Sequence, residues 1–481
     1  MVISYLRHGQ TEAFGLVASP AGNCLFNTSG KAFVCQLEDV GVIDCKTGEQ
    51  VAMWHETGLK SDVTCLAQSP AQKDVFAVGY ANGSIRLWSS ATNSVIVTFD
   101  GHKKQVTALT FDQQGTRLAS GSQDTDVILW DVLGESGLFS LRGHRDQITS
   151  LAFLSSSHLL SASKDTLIKL WHLPTQHCLD TAVAHRSECW SITALPNATV
   201  DDEADNIGEE PSTATVMSSG GEGELKLWSI NLASLPTSSD DPSTSEKATS
   251  LRSIHALAAP TLSSTSHAHR IPSIHFDPNT QMLAVQTGDR TVELARVRTV
   301  EEMKKKAARR KKREKEKGKK EAAAEAEEAS DEIEWKERIA SWVIVRSPTK
   351  IRSFSIATPS SSREARGKGR AKEKSEFQIL FALNNNSLQT YSVPLPDKAT
   401  THPEATLLHN VSTSGHRTDV RSLSLSSDDA LLAAVSNGEL KIWNRRSLKC
   451  LRTMNDTGYG LCCSWLPGDR HVSACFYNLA A

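Results

Sequence analysis

No run of about twenty apolar residues, the length a helix needs to cross a bilayer, occurs anywhere in this 481-residue chain. The opening stretch Met1-Val2-Ile3-Ser4-Tyr5-Leu6-Arg7 also lacks the apolar core of a secretory leader, so an intracellular protein with no membrane partner is expected. An excess of one charge is missing too. The 53 Lys and Arg against 55 Asp and Glu leave a formal charge of −2, which leaves any electrostatic role to local tracts. None of the ten cysteines forms a Cys-x-x-Cys pair, and the adjacent Cys462-Cys463 suits neither zinc ligation nor an easy disulfide. They read as small buried apolar residues in a reducing compartment, and no metal site is expected. A Gly-x-x-x-x-Gly-Lys-Ser/Thr phosphate loop, a His-Glu-x-x-His helix, a Gly-x-Ser-x-Gly elbow and the kinase motifs are all absent. No cofactor, small-molecule substrate or catalytic residue is therefore assigned.

What the chain does have is a repeat of about forty residues. Gly101-His102 leads to Trp130-Asp131, Gly143-His144 to Trp171-His172, and Gly415-His416 to Trp443-Asn444. Self-similarity of this period and composition resembles WD-type propeller blades, each a four-stranded sheet. Between the anchors one internal pattern returns: Ser120, Asp124 and Trp130 follow His102, and Ser161, Asp165 and Trp171 follow His144. The physical reading is a buried relay in which the Asp orients the His, the His meets the Ser, and the Ser meets the Trp indole. Each member satisfies a group that would otherwise cost about 1–3 kcal/mol unpaired. A hydrolytic triad uses the same residue types, but it occurs once, around an exposed nucleophile and an oxyanion pocket. Residues that recur at one place per repeat are structural. Trp88 has Asn82 where Asp would stand, Trp228 has Glu222, and Val292-Glu293-Leu294-Ala295-Arg296 replaces the Trp segment of a sixth repeat, so incomplete relays are expected there.

The expected fold is all-β: a seven-bladed WD-repeat propeller, the incomplete start of a second propeller, and a long charged helical insertion. Blade-like segments fall near 13–57, 60–99, 102–141, 144–183, 185–255, 267–299 and 340–396, with an eighth from about His409. Residues 1–398 form the first ring, with insertions at 197–215, 234–250, 301–337 and 360–374; residues 399–481 form one to two blades of the second. A ring left open would expose strand edges and apolar faces. The longest insertion is basic from Lys304 to Lys320 and rich in Glu and Ala from Glu321 to Glu337. As one helix from Glu301 to Glu337 it would be about 55 Å long at 1.5 Å per residue. Lys304, Lys305, Lys306, Arg309, Arg310, Lys311, Lys312 and Arg313 could lie along RNA phosphates or serve nuclear import, or simply form a solvated face. No aromatic is interleaved, so base stacking is not expected there.

The run from Phe99 to Thr149, FDGHKKQVTALTFDQQGTRLASGSQDTDVILWDVLGESGLFSLRGHRDQIT, is more specific than the general repeat. With YLRHGQTEAFGLVASP, VGYANGSIRLW, LWHLPTQHCLDTAVAHRSECW and LCCSWLPGDRHV, it resembles the tandem-propeller family of small-subunit processome components known in animals as WD repeat-containing protein three. The resemblance implies a non-catalytic scaffold of a nucleolar small nucleolar ribonucleoprotein that supports precursor rRNA processing to 18S rRNA and small ribosomal subunit biogenesis. It also implies a nuclear, nucleolar location and association with other WD-repeat proteins, small nucleolar RNA and precursor rRNA. The alternative is a WD-repeat adaptor that recognises substrates for ubiquitin ligation or chromatin. It is weakened because Ala13-Phe14 already starts strand-like sequence, with no adaptor helices before it.

Overall fold

A computed structural model describes residues 16–56, 58–196, 213–232, 253–257, 270–287, 290–299, 302, 338–357, 376–396, 404–412, 415–416, 418–447 and 449–477. Among them, β-branched and apolar runs of three to eight residues, cut by tight turns, form the strands of the first seven sheets, and the eighth also has strands of 14 and 17 residues. The strands assemble into eight four-stranded sheets, and in each the strands pair antiparallel in chain order. In sequence, the sheets run Cys24–Trp54, Val63–Phe99, Val106–Leu141, Ile148–Val183, Cys189–Leu257, Ile274–Arg346, Ile351–Val411 and Ser422–Tyr477.

The alternation of side chains along each strand gives every sheet two apolar faces, and each face needs a neighbour. Between the second and third sheets, Ala77, Ile85 and Leu87 pack with Val106, Leu118 and Trp130. Between the fourth and fifth, Leu160, Ile168 and Leu170 pack with Ile192, Val216 and Trp228. The seventh sheet returns to the first: Leu380, Ala382 and Leu388 share a core with Leu16, Phe26 and Ile43. Ser355 Oγ accepts the Phe26 amide across the same junction. The eighth sheet has a separate small core of Ala433, Val435, Leu440 and Cys463, and its Leu423 and Leu461 are 62% and 50% exposed.

Three boundaries differ from the sequence reading, each beside a long connection between strands of one sheet. Counted from its Gly-His anchor, the repeat is staggered by one strand against the sheet in space, because the outer strand of a sheet precedes the next anchor. The sixth sheet therefore takes its outer strand, Ile339–Arg346, from beyond the long insertion; the spacing assigned it to the seventh. The seventh sheet correspondingly ends with Thr406–Val411, paired to Leu388–Pro394. His409, expected to open the eighth blade, lies in this strand, so a division at 398/399 would cut the seventh sheet. The insertion expected to reach residue 215 stops earlier, since Thr213–Gly220 is already a strand. Ala13-Phe14, the insertion cores at 234–250 and 360–374, and the helix expected over 301–337 lie outside the described residues, Glu302 excepted.

A meander turns back on itself, so the first-to-second and third-to-fourth connections of every sheet lie at one end. The second-to-third turns and the links to the next sheet lie at the other. Five long connections, 196–212, 232–253, 298–338, 358–375 and 395–405, all leave by the first end. At the other end the turns are short apart from the links between Leu257 and Ile274 and between Val411 and Ser422.

Candidate functional site at the short-turn end

In the third sheet, His102 sits in the link before the inner strand and Asp124 in the turn between second and third strands, which brings both to the short-turn end. His102 Nδ1 lies 3.1 Å from Asp124 Oδ2, and its Nε2 lies 2.7 Å from Ser120 Oγ. Trp130 Nε1 donates to the same hydroxyl at 2.8 Å. The tautomer follows: Nδ1–H donates to the carboxylate, and the serine O–H donates to Nε2 while accepting the indole N–H. The fourth sheet repeats this with His144–Asp165 at 2.8 Å, His144–Ser161 at 2.8 Å and Trp171–Ser161 at 2.8 Å. The eight residues that sequence spacing joined into two relays are brought together by the fold as two relays.

The fifth sheet holds a third relay, which spacing had judged incomplete. His185 Nε2 lies 2.8 Å from Ser218 Oγ, which accepts Trp228 Nε1 at 2.8 Å. The carboxylate is Glu224, 3.5 Å from His185 Nδ1, and not Glu222. Glu222 occupies the turn position of Asp124, but its side chain is exposed; Glu224, two residues on and one methylene longer than Asp, covers the distance. The signal that was missed is a Ser ten residues before each Trp, at 120, 161 and 218. The second sheet lacks this signal: Val78 stands at that position and Leu59 where the His would be, and both pack with Trp88 in an apolar cluster. The Trp88 indole nitrogen has no hydrogen-bond acceptor among the described residues, in keeping with the incomplete relay expected there. In the eighth sheet His416 Nδ1 lies 2.7 Å from Ser436 Oγ and 3.8 Å from Glu439 Oε2.

Burial sets the electrostatics. Desolvation lowers the pKa of His102 and His144, only partly opposed by Asp124 and Asp165, and lowers that of His185 to about 4. Burial would raise the Asp124 and Asp165 carboxyls. The backbone N–H groups of Lys103 and Arg145, together with the histidines, outweigh it and hold both below the usual range. Ser120 and Ser161 are 0% exposed, so neither hydroxyl is open to an incoming carbonyl carbon. The histidines are thus neutral links that tie a turn to a strand and a strand to the Trp.

A second repeated device joins the sheets. The inner strands bulge at Thr64, Thr107 and Thr149. There each hydroxyl lies within hydrogen-bond reach of a carbonyl of its own sheet and one of the next: Gly79 and Val106, Gly121 and Ile148, Ala162 and Cys189. Sequence reading passed over these threonines because a Thr in a strand needs no special explanation. The eight basic residues from Lys304 to Arg313 named above lie outside the described residues. Among the described residues no group of His, Cys, Asp or Glu is placed to hold a metal ion, and no helix is long and apolar enough to cross a membrane.

The family model for the WDR3 first beta-propeller domain matches residues 31–230, and a WD domain, G-beta repeat, matches 407–444. The latter takes the outer strand of the seventh sheet with the start of the eighth, the stagger described above. U3 small nucleolar RNA-associated protein 12 of Saccharomyces cerevisiae is 34% identical over 97% of this chain and 47% of its own length. The chain belongs to the WD repeat-containing protein 3 family. Human WD repeat-containing protein 3 is 38% identical over 42% of this chain and 20% of its own length. Pre-rRNA-processing protein IPI3 of Mycosarcoma maydis is 28% identical over 37% of this chain and 24% of its own. The chain therefore spans about half or less of the length of the curated relatives it matches.

Proposed function

We propose that this member of the WD repeat-containing protein 3 family is a non-catalytic scaffold of the nucleolar small-subunit processome, supporting precursor rRNA processing and small ribosomal subunit biogenesis. The observation that carries the reading is the similarity along 97% of the chain to a protein named as associated with U3 small nucleolar RNA. The buried relay supports the non-catalytic part, because its serines and histidines are consumed in holding turns. In this reading the sheets from Cys24 to Val411 form the first ring, and Ser422–Tyr477 opens a second. Other WD-repeat proteins of the particle are partners, and small nucleolar and precursor ribosomal RNA are met directly or through the particle.

The test is a tagged chain expressed in cells and crosslinked to RNA. Nucleolar accumulation and recovery of precursor rRNA are expected. Exclusion from nucleoli, or recovery of cullin or histone partners instead, would overturn the reading. Replacing Lys304 to Lys320 with neutral residues is expected to weaken RNA retention and flatten its dependence on salt, as loss of phosphate contacts does. An unchanged salt dependence would assign that tract to import or solubility.

A further inference from the structure

The sequence reading buries all ten cysteines. The structure buries six, leaves Cys450 half-buried and exposes Cys178, Cys462 and Cys475. Two of the exposed thiols meet. In the last sheet the C-terminal part of Lys449–Trp465 runs antiparallel to Val472–Tyr477, and Cys462 stands directly opposite Cys475 in the register. Alternation along the strands settles which way they face. Cys463, Trp465, Val472, Ala474 and Phe476 turn into the small core of this sheet, and Cys463 Sγ lies 3.6 Å from the carbonyl oxygens of Ser422 and Ala433. Cys462 and Cys475 therefore project from the opposite face, beside the facing pair Ser464 and Ser473. Opposed residues of an antiparallel pair have Cα atoms about 4.5–5.5 Å apart, inside the ~4.4–6.8 Å that a disulfide spans. A hydrogen bond with Cys462, and then the charge of Cys462, push the Cys475 thiol above its usual range, which leaves Cys475 as the second thiol to react. Val472–Tyr477 is the last strand in the sheet order and pairs with one neighbour, a position from which a strand opens readily.

We propose that Cys462 and Cys475 are a reversible redox site, closed by exchange with a low-molecular-weight disulfide such as glutathione disulfide and reopened by excess thiol. The Cys462 thiolate attacks one sulfur of the glutathione disulfide, breaking its S–S bond and releasing one glutathione thiolate. A mixed disulfide is left on Cys462. Cys475 gives its proton to water and attacks the Cys462 sulfur, and the second glutathione leaves as thiolate. The two protein thiols lose two electrons, and one glutathione disulfide gains them to become two thiols. The new bond clasps the edge strand to its neighbour. Exposure makes it a labile bond set by the surrounding thiol pool, and not a permanent structural bridge. Cys178 is exposed too, but it stands opposite Trp171. With no second thiol to resolve it, it stops at the mixed disulfide.

The test equilibrates the full chain, without oxygen, in glutathione buffers of rising disulfide content. Samples are quenched with acid, alkylated and run on a non-reducing gel, and the monomer band is digested with trypsin. Cleavage after Arg452 and Arg470 puts Cys462 and Cys463 on one peptide and Cys475 on another. The two peptides are expected joined, with fragmentation assigning the bond to Cys462, and dithiothreitol should part them. Cys463→Ala should leave the bond in place and Cys462→Ala should abolish it. Amide exchange in Val472–Tyr477 should slow by about tenfold or more on oxidation, as loop closure restricts opening. Cys462 and Cys475 each ending as mixed disulfides, neither of them reacting, a bond to Cys463 or between two chains, or unchanged exchange would each overturn the proposal. If circular dichroism shows Cys462→Ala to be misfolded, the map of the unsubstituted chain decides.

Discussion

Replacing Ser161 with Ala removes one oxygen and leaves two buried groups without partners. Trp171 Nε1 loses its acceptor at 2.8 Å and His144 Nε2 its donor at 2.8 Å. Trp171 and His144 are 2% and 6% exposed and Ser161 is 0%, so water does not take over. Each orphaned buried group costs about 1–3 kcal/mol, giving a loss of about 2–6 kcal/mol against a typical domain stability of about 5–15 kcal/mol. The assay is guanidinium unfolding, read as a shift of midpoint at constant slope. A second arm separates orphaning from a mere loss of contact. When Trp171→Phe is added, the indole N–H is gone as well, and the double mutant should be less unstable than the sum of the singles by about 1 kcal/mol or more. A loss below about 0.5 kcal/mol for Ser161→Ala, typical of an inconsequential surface change, would refute the relay as a stabilising network.

Acid should weaken the fold through its histidines before it reaches the carboxylates. His185 has a folded pKa of about 4 against an ordinary 6.5, so the unfolded chain takes the proton first. The stability it contributes is complete above about pH 6.5 and falls by about 3 kcal/mol as pH drops toward 4, at about 1.4 kcal/mol per unit. Unfolding temperature measured from pH 7.5 to 4.5 should decline over that window, and His185→Gln should flatten the decline; an unaltered slope would contradict the assignment. Thr149→Val should cost about 1–2 kcal/mol and speed amide exchange in Cys189–Leu195, since the side chain bonds Ala162 of its own sheet at 3.2 Å and Cys189 across the sheet boundary at 2.8 Å. Gly83→Ala should cost more than about 2 kcal/mol: φ is +92° and a Cβ would stand 2.4 Å from the His102 carbonyl oxygen. Differential scanning calorimetry would register it, and a neutral result would mean the turn can move away.

The sheets were legible where period, turn residues and apolar alternation coincide, as from Val106 to Val183. Two relays were legible because Ser and Asp recur there at fixed offsets before Trp, with a Gly-His anchor upstream. The third was missed for two reasons: its anchor is Ala184-His185 in place of Gly-His, and its acid reaches in from the register position of Asp126 and not that of Asp124. Two outer strands, Ile339–Arg346 and Thr406–Val411, lie beyond long connections and were assigned to the following sheets. Pairing of Thr291–Val297 with Ile339–Arg346 is decided by register and packing on Val292 and Leu294, which no local pattern records.

Five long connections leave the sheets at the same end. Length added or removed there does not reach the relays, because the whole height of each sheet lies between. The two ends can therefore diverge at different rates, one held by its buried relays, the other a mooring for arms of any composition. A reporter spliced between Leu232 and Ser253 would report on the assembled molecule without disturbing the relays.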